Sequence, residues 1–423
     1  MALAGREDTM NLQGAGRNGG AWRPEAGHPR SLADAVLHLI WEQRRISRAE
    51  IARRTGLSRS TVSEVASALL PTRLVAEAGV GDSRGGRRPI VLEFQDDACV
   101  ILGLDIGATH VAVVLTNLRG KILAWEHGEH PVRSDPDGTL AMALEFCRRC
   151  LRRWGGPRQR LVGIGIAVPS PVDPEHPDRF SPIAMPAWRG RGGFPELVAE
   201  FGVPVLVDND ANLGALAEHW WGAGRGVADF AFIKVATGIG LGHLMEGRIY
   251  RGARGVAGEI SHLSIDPQGE PCGCGNRGCL VTFVGTAALL AHATRLRATY
   301  PASVLATGTL TIARIEDAAL AGDPLALAVV AAAAEHLGVA IAGLLNLTNP
   351  AAVILGGGLT RLGDRLVMPL RETVRQRTFV EALATSEIVT SQLGPQGIAI
   401  GAATLILDAA LTDPSMFPTG GRR

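Results

Sequence analysis

The sequence predicts an α/β body preceded by a small, largely helical module that ends in a basic wing. Three observations carry that expectation. From Val100 onward, short apolar runs that end in glycine alternate with Ala- and Leu-rich stretches of helical length, as in layered strands and helices. Between Ser31 and Leu74 the apolar positions recur at helical spacing instead. A Gly/Arg stretch from Gly79 to Pro89 then runs into the strand-like Ile90-Val-Leu-Glu-Phe94. A chain of 423 residues has room for two or three domains. The expected division is a disordered leader over 1–29, a winged helix-turn-helix over 30–95, the body over 99–410 and a frayed tail over 411–423.

The leader is rich in Gly, Ala and Arg without an apolar period, so it cannot bury enough surface to offset its ordering entropy. In the next segment Ala52 allows two helices to cross closely, Gly56 suits a tight turn, and Ser58 can cap a second helix. Ile51, Leu57, Val62 and Val65 supply a small core. Arg59, Ser60, Thr61, Ser63 and Glu64 are left near the N-terminal part of that second helix, the part that enters a major groove in this motif. Arg84, Arg87 and Arg88 form a basic wing suited to phosphates or a minor groove. The whole chain carries a formal charge of only +1, whereas Arg30 to Pro89 holds eleven arginines against six acids. A basic module on a neutral body follows, with double-stranded DNA as its partner.

The body opens with Asp105-Ile-Gly107-Ala-Thr109, a strand end with a carboxylate, a glycine and a hydroxyl that can hold a nucleotide phosphate and its metal. A second loop, Thr237-Gly238-Ile-Gly240-Leu-Gly242, follows an apolar strand over 230–235 and can point backbone donors at an anion. Between them, Val203-Pro-Val-Leu-Val-Asp-Asn209-Asp210-Ala-Asn212 ends a buried strand in amides and carboxylates before a helix expected from about Ala215. Asp210 could take a proton from a substrate hydroxyl; the same residues also suit helix capping. Leu355-Gly-Gly-Gly-Leu359 is a further strand-to-helix turn. His262 followed by Cys272, Cys274 and Cys279 makes a closed four-ligand set for structural zinc, with glycines that let the chain wrap one ion. No run of about 18 uncharged apolar residues occurs, and a cytoplasmic protein without a membrane partner is expected.

Taken together, these motifs resemble the ROK family (repressors, open reading frames, kinases), specifically its NagC/XylR-type transcriptional regulators. The resemblance runs over about residues 31–408 and rests on the helix-turn-helix with Gly85-Gly-Arg-Arg-Pro89, Asp105-Ile-Gly-Ala-Thr109, Gly163-Ile-Gly-Ile-Ala-Val-Pro169, Asn209-Asp210-Ala, Thr237-Gly-Ile-Gly-Leu-Gly242, Gly258-Glu-Ile-Ser-His262 and the cysteine cluster. It implies an actin-like, ribonuclease-H-type fold of two lobes with a ligand in the cleft between them. It further implies that Asp105, Gly107, Thr109, Thr237, Gly238 and Gly240 match the family's phosphate motifs. Asn209, Asp210, Glu259 and His262 match its sugar contacts, and in family kinases the aspartate corresponding to Asp210 is the catalytic base. Two positions depart from the kinase pattern: Ala184 in Ser181-Pro-Ile-Ala-Met-Pro-Ala-Trp188, where an asparagine is usual, and Val281, where a glutamate is usual. The expected function is a DNA-binding repressor of carbohydrate genes, a homodimer or homotetramer on a palindromic operator, released by a sugar or sugar phosphate. The alternative is an ATP- and magnesium-dependent hexose kinase with an added DNA-binding module.

Overall fold

The computed structural model describes residues 32–80, 90–379 and 386–418. The N-terminal module comprises α1 (Leu32–Gln43), β1 (Arg45–Ser47), α2 (Arg48–Thr55), α3 (Arg59–Leu69), β2 (Val75–Val80) and β3 (Ile90–Phe94). Ser47 caps α2 by accepting from the Glu50 amide, Gly56 closes it at φ 72°, and Ser58 caps α3 by accepting from the Thr61 amide. Ile51 and Val62 are fully buried, with Leu57 and Val65 packed at the edge of the same cluster. The sequence reading did not include β1, which is three residues long and too short to show alternation; it exists because it pairs with β3. β2 and β3 pair antiparallel on either side of 81–89, and the leader and the wing arginines Arg84, Arg87 and Arg88 lie outside the described residues.

The body holds two five-stranded sheets. The first contains β4 (Val100–Ile106), β5 (His110–Asn117), β6 (Ile122–Glu129), β7 (Leu161–Val168) and β8 (Val205–Asn209), in the order β6-β5-β4-β7-β8. Helix α4 (Pro136–Trp154) covers it, α5 (Pro195–Phe201) lies between β7 and β8 in the chain, and α6 (Asp210–Trp221) leaves from β8. The second contains β9 (Phe230–Val235), β10 (Ile239–Met245), β11 (Arg248–Ile249), β12 (Ala352–Gly356) and β13 (Glu387–Thr390), in the order β11-β10-β9-β12-β13. In both sheets an antiparallel meander of three strands is extended by two parallel strands, so the lobes repeat one topology. This is the expected two-lobed α/β body.

Helices α7 (Val281–Val284), α8 (Thr286–Leu296), α9 (Ile312–Leu320), α10 (Pro324–Thr348) and α11 (Asp364–Arg377) build the second lobe, and α12 (Gly397–Thr412) returns to the first. α10 and the segment Gly394–Thr412 are long and apolar enough to cross a membrane, but 61% and 67% of their most apolar windows are buried inside the lobes. They are interior helices: Leu337 and Ile341 pack with Ala231 and Val353 of the sheet.

Glycines decide how α12 sits. A Cβ on Gly165 of β7 would lie 1.8 Å from the Ala402 carbonyl oxygen, and one on Gly103 of β4 would lie 2.0 Å from that of Ala399. Their absence lets the helix backbone rest on the sheet. From there one apolar cluster runs through Ala403 and Leu407 into Val36, Leu37 and Ile40 of α1 and Phe94 of β3. The boundary drawn between 95 and 99 is therefore a chain boundary crossed by a shared core. The segment past Thr412, read as a fraying tail, makes a helical turn at Pro414–Met416, and Phe417 is 4% exposed in that same cluster.

Candidate effector cleft, metal cluster and DNA-reading helix

Helix α6 begins at Asp210, five residues before the expected start, because Asn209 caps it. The Asn209 Oδ1 accepts from the Ala211 and Asn212 amides at 2.9 and 3.2 Å, and its Nδ2 donates to the Ser170 carbonyl at 3.1 Å. The capping reading of this motif holds at Asn209, and the cap sets buried Asp210 as the first residue of the helix. Asp208, just before it, accepts from the Asn209 amide and the Asn212 Nδ2 through Oδ1. Its Oδ2 accepts from the Arg251 guanidinium at 2.5 and 3.2 Å. Arg251 follows β11, so this ion pair joins the two lobes.

A second inter-lobe pair lies deeper. The Lys234 Nζ, in β9, donates to the Asp210 Oδ2 at 2.5 Å, with the carboxylate buried and the lysine side chain 12% exposed. Burial works against the Lys234 charge, but Asp210 and Asp105 outweigh it and hold the ammonium above its usual range. Burial pushes the Asp210 carboxyl upward, opposed by Lys234. At Asp105 burial is outweighed by the hydrogen bond from His110 at 3.1 Å and by the charges of His110 and Lys234, and the carboxyl sits low. The other Asp105 oxygen is buried without a hydrogen-bond partner among the described residues. Burial, then the charge of Asp210, pushes the Glu259 carboxyl up.

The glycines of the two phosphate-type loops are partly engaged in packing. The His110 imidazole lies against Gly107, where a Cβ would meet it at 2.2 Å. A Cβ on Gly240 would meet that of Ala211 at 2.8 Å, so this glycine seats β10 against the start of α6. Thr109, Thr237 and Gly238 are exposed, and Gly238 faces open space. Of the two departures, Ala184 packs beside buried Met185 and Trp188, whose Nε1 donates to the Val132 carbonyl at 2.6 Å. Val281 opens α7 and packs on the second-lobe core.

His262, Cys272, Cys274 and Cys279 converge, their ligand atoms all within 4.8 Å of one another. The Cys272 Sγ lies 3.6 Å from the His262 Nδ1, and the Cys274 and Cys279 sulfurs are 3.6 Å apart. Thiolates about 2.3 Å from a tetrahedral ion stand about 3.7 Å apart, so the set fits zinc. With Nδ1 on the cluster, Nε2 is the His262 ring atom left for another partner. In the N-terminal module α3 presents Arg59, Ser60 and Glu64 as exposed side chains, with Thr61 and Ser63 half-buried beside them. The Ser60 and Thr61 hydroxyls lie 2.7 and 2.8 Å from the capping Ser58 Oγ.

Residues 101–409 match the model of the ROK family, and 35–69 match a winged helix-turn-helix DNA-binding model. The chain belongs to the ROK family. It is 30% identical over 384 residues to the xylose repressor of Caldicellulosiruptor bescii, covering 90% of this chain and 96% of that one. It is 32% identical over 387 residues to the DNA-binding transcriptional dual regulator NagC of Escherichia coli K12, covering 89% and 92%. Among solved structures, a ROK family transcriptional regulator described as a homologue of the E. coli Mlc protein superposes with a TM-score of 0.76 at 27% identity, covering 91% and 96%. A ROK family glucokinase from Streptomyces griseus, in complex with glucose and AMPPNP, superposes with a TM-score of 0.65 at 29% identity, covering 72% of this chain and 98% of that one. The glucokinase matches a smaller share, whereas the regulators match nearly the full length. This ROK protein is a DNA-binding transcriptional regulator with a sugar-kinase-like body. Sequence reasoning missed Lys234, His110 and Arg251; a lysine inside the apolar strand Phe230-Ala-Phe-Ile-Lys-Val was the visible signal for the first.

Proposed function

We propose that this ROK regulator is a repressor of carbohydrate genes whose cleft senses a sugar or sugar phosphate without phosphorylating it. The observation that carries the reading is the Lys234–Asp210 pair. A carboxylate that is to deprotonate a sugar hydroxyl needs a free lone pair facing that hydroxyl. Here the Lys234 ammonium already engages the Asp210 Oδ2 and is favoured by the Asp105 charge, which disfavours proton uptake by Asp210, and the His110 imidazole fills the space over Gly107. Asn209, Asp210, Glu259 and His262 form the sugar-binding face, and Asp105, Gly107, Thr109, Thr237, Gly238 and Gly240 are a remnant of a phosphate site. Arg59, Ser60, Thr61 and Ser63 read bases, with Arg84, Arg87 and Arg88 on the backbone.

The relatives named for xylose and N-acetylglucosamine repression support a neutral sugar or amino sugar as effector, and a cytoplasmic homodimer or homotetramer on a palindromic operator suits the module. Zinc on His262 and the three cysteines is structural, since four protein ligands leave no open position. It pins the segment that carries Glu259.

Fluorescence anisotropy of the full-length protein on DNA upstream of its own gene, titrated with hexoses, pentoses, amino sugars and their phosphates, tests this. Release by one sugar is the expected result, with no ADP formed when that sugar and magnesium ATP are added. ADP formation dependent on the sugar would make the chain a kinase and overturn the reading.

A further inference from the structure

The two ends of α6 touch the two functions of the molecule. Asn209 and Asp210 stand at its start, and Trp220 and Trp221 at its end, a span of 12 residues or about 18 Å. The Trp220 ring lies 5.0 Å from that of Trp41, and the Trp221 ring 6.3 Å, where Trp41 belongs to the last turn of α1 in the DNA-binding module. This contact is held from both sides. The Trp221 Nε1 donates to the Thr404 Oγ1 at 2.8 Å, the Trp41 Nε1 donates to the Leu118 carbonyl at 3.0 Å, and the Arg119 guanidinium covers Trp41 at 4.5 Å. α1 in turn packs on α3, the base-reading helix.

Between its ends α6 is gripped by both lobes. Asp210 through Glu218 are all buried, the Ala211 carbonyl sits where a Cβ on Gly242 of β10 would be, and the Leu213 carbonyl where one on Gly401 of α12 would be. A helix packed that closely moves as a rod when the lobes shift. The inter-lobe pairs Lys234–Asp210 and Arg251–Asp208 both fasten on its N-terminal end, so any ligand seated on Asn209 and Asp210 acts on the rod directly. Beside the indoles a cavity of about 670 Å³, lined by His38, Trp41, Trp220, Arg248 and Asp408 among others, leaves room for a second packing.

We propose that α6 is the coupling element of this regulator, and that Trp220 against Trp41 is the contact through which occupancy of the cleft changes the set of α3 on DNA. The indoles position the module and do not touch the effector. This rests on the sugar-sensing reading for its biological sense, but its test does not need a known sugar.

The test is a double-mutant cycle on operator affinity, with Asn209→Ala at one end of α6, Trp220→Ala at the other, and both together, on operator DNA selected by the protein from a random library. Residues this far apart normally contribute independently. Coupling through the rod predicts that each variant alters operator affinity and that Asn209→Ala adds little once Trp220 is gone. Trp220→Phe, which keeps a ring against Trp41, should behave as wild type, and unfolding midpoints identify any variant that merely misfolds. Independent effects in the cycle, or wild-type affinity for both single variants, overturn the proposal. With a sugar that releases the wild type, Trp220→Ala should bind it within about threefold of normal by calorimetry, yet lose about tenfold or more of the release. Retained release also overturns it. A panel in which no sugar binds the wild type counts against the sugar-sensing reading, while the cycle still decides the role of α6.

Discussion

The β4–β5 and β9–β10 hairpins hold equivalent places in two sheets of the same strand order, yet they arm the cleft with opposite charges. The next-to-last residue of β4 is Asp105; the next-to-last residue of β9 is Lys234. Asp105 takes its hydrogen bond from His110 in its own hairpin, whereas Lys234 reaches across to Asp210 in the other lobe. Topology chooses which strand positions meet in the cleft. The side chains there choose between a site for an outside phosphate and its metal and a site closed by an internal ion pair.

The sharpest way to break this contrast is to remove the lysine. Lys234→Met leaves Asp105 and Asp210 buried without their shared cation, which should cost about 3–5 kcal/mol of folding stability, read by urea unfolding. Adding Asp210→Asn to the same chain should recover part of the loss. An unchanged midpoint would mean that the pair contributes nothing. For the same reason Asp210→Asn alone is a poor test of catalysis, since it strands Lys234.

A smaller effect separates the two uses of glycine. Gly165→Ala drives a Cβ into the Ala402 carbonyl and should cost about 1–3 kcal/mol by overpacking. Gly238→Ala points into open space at the cleft and should stay within about 0.5 kcal/mol. Equal effects in thermal melts would refute the assignment of one glycine to packing and the other to the cleft.

Charge at the DNA contact offers a third measure. Arg87→Ala with Arg88→Ala should weaken operator binding and flatten its salt dependence by about one unit of slope for each lost phosphate contact. An unchanged slope removes the wing from the interface.

The smallest expected effects concern pH. Asp105 has its pKa held low, so its contribution to stability is present above the ordinary aspartate value of about 3.9 and is lost as pH falls below it. Glu259 has its pKa pushed up by burial, so it costs stability once pH rises past the ordinary glutamate value of about 4.3. Asp105→Asn should therefore flatten the acid limb of the stability profile, and Glu259→Gln should raise stability at neutral pH. A Glu259→Gln chain less stable at pH 7 would mean that the carboxylate is ionised and paired.

Much of the site was legible because its markers are local. Ser58 and Gly56 define the turn into α3 by their own backbone needs, and the cysteine spacing with one histidine permits few other readings. The start of α6 was misplaced because Asn209-Asp210 can end a strand or begin a helix, and the Ser170 carbonyl that helps hold Asn209 lies 39 residues away. The tail was misjudged because Phe417 finds its burial against residues near the other end of the chain.

By itself the sequence determined the α/β body, the helix-turn-helix and the four metal-type ligands, since periodicity, turn chemistry and ligand spacing act over a few residues. Only the tertiary structure decided that Lys234 closes on Asp210, that Arg251 ties Asp208 across the cleft, that glycines seat α12, and that Trp41 rests on the end of α6. Those contacts join residues far apart in the chain, and no local preference encodes which distant partner a buried charge or an indole will find.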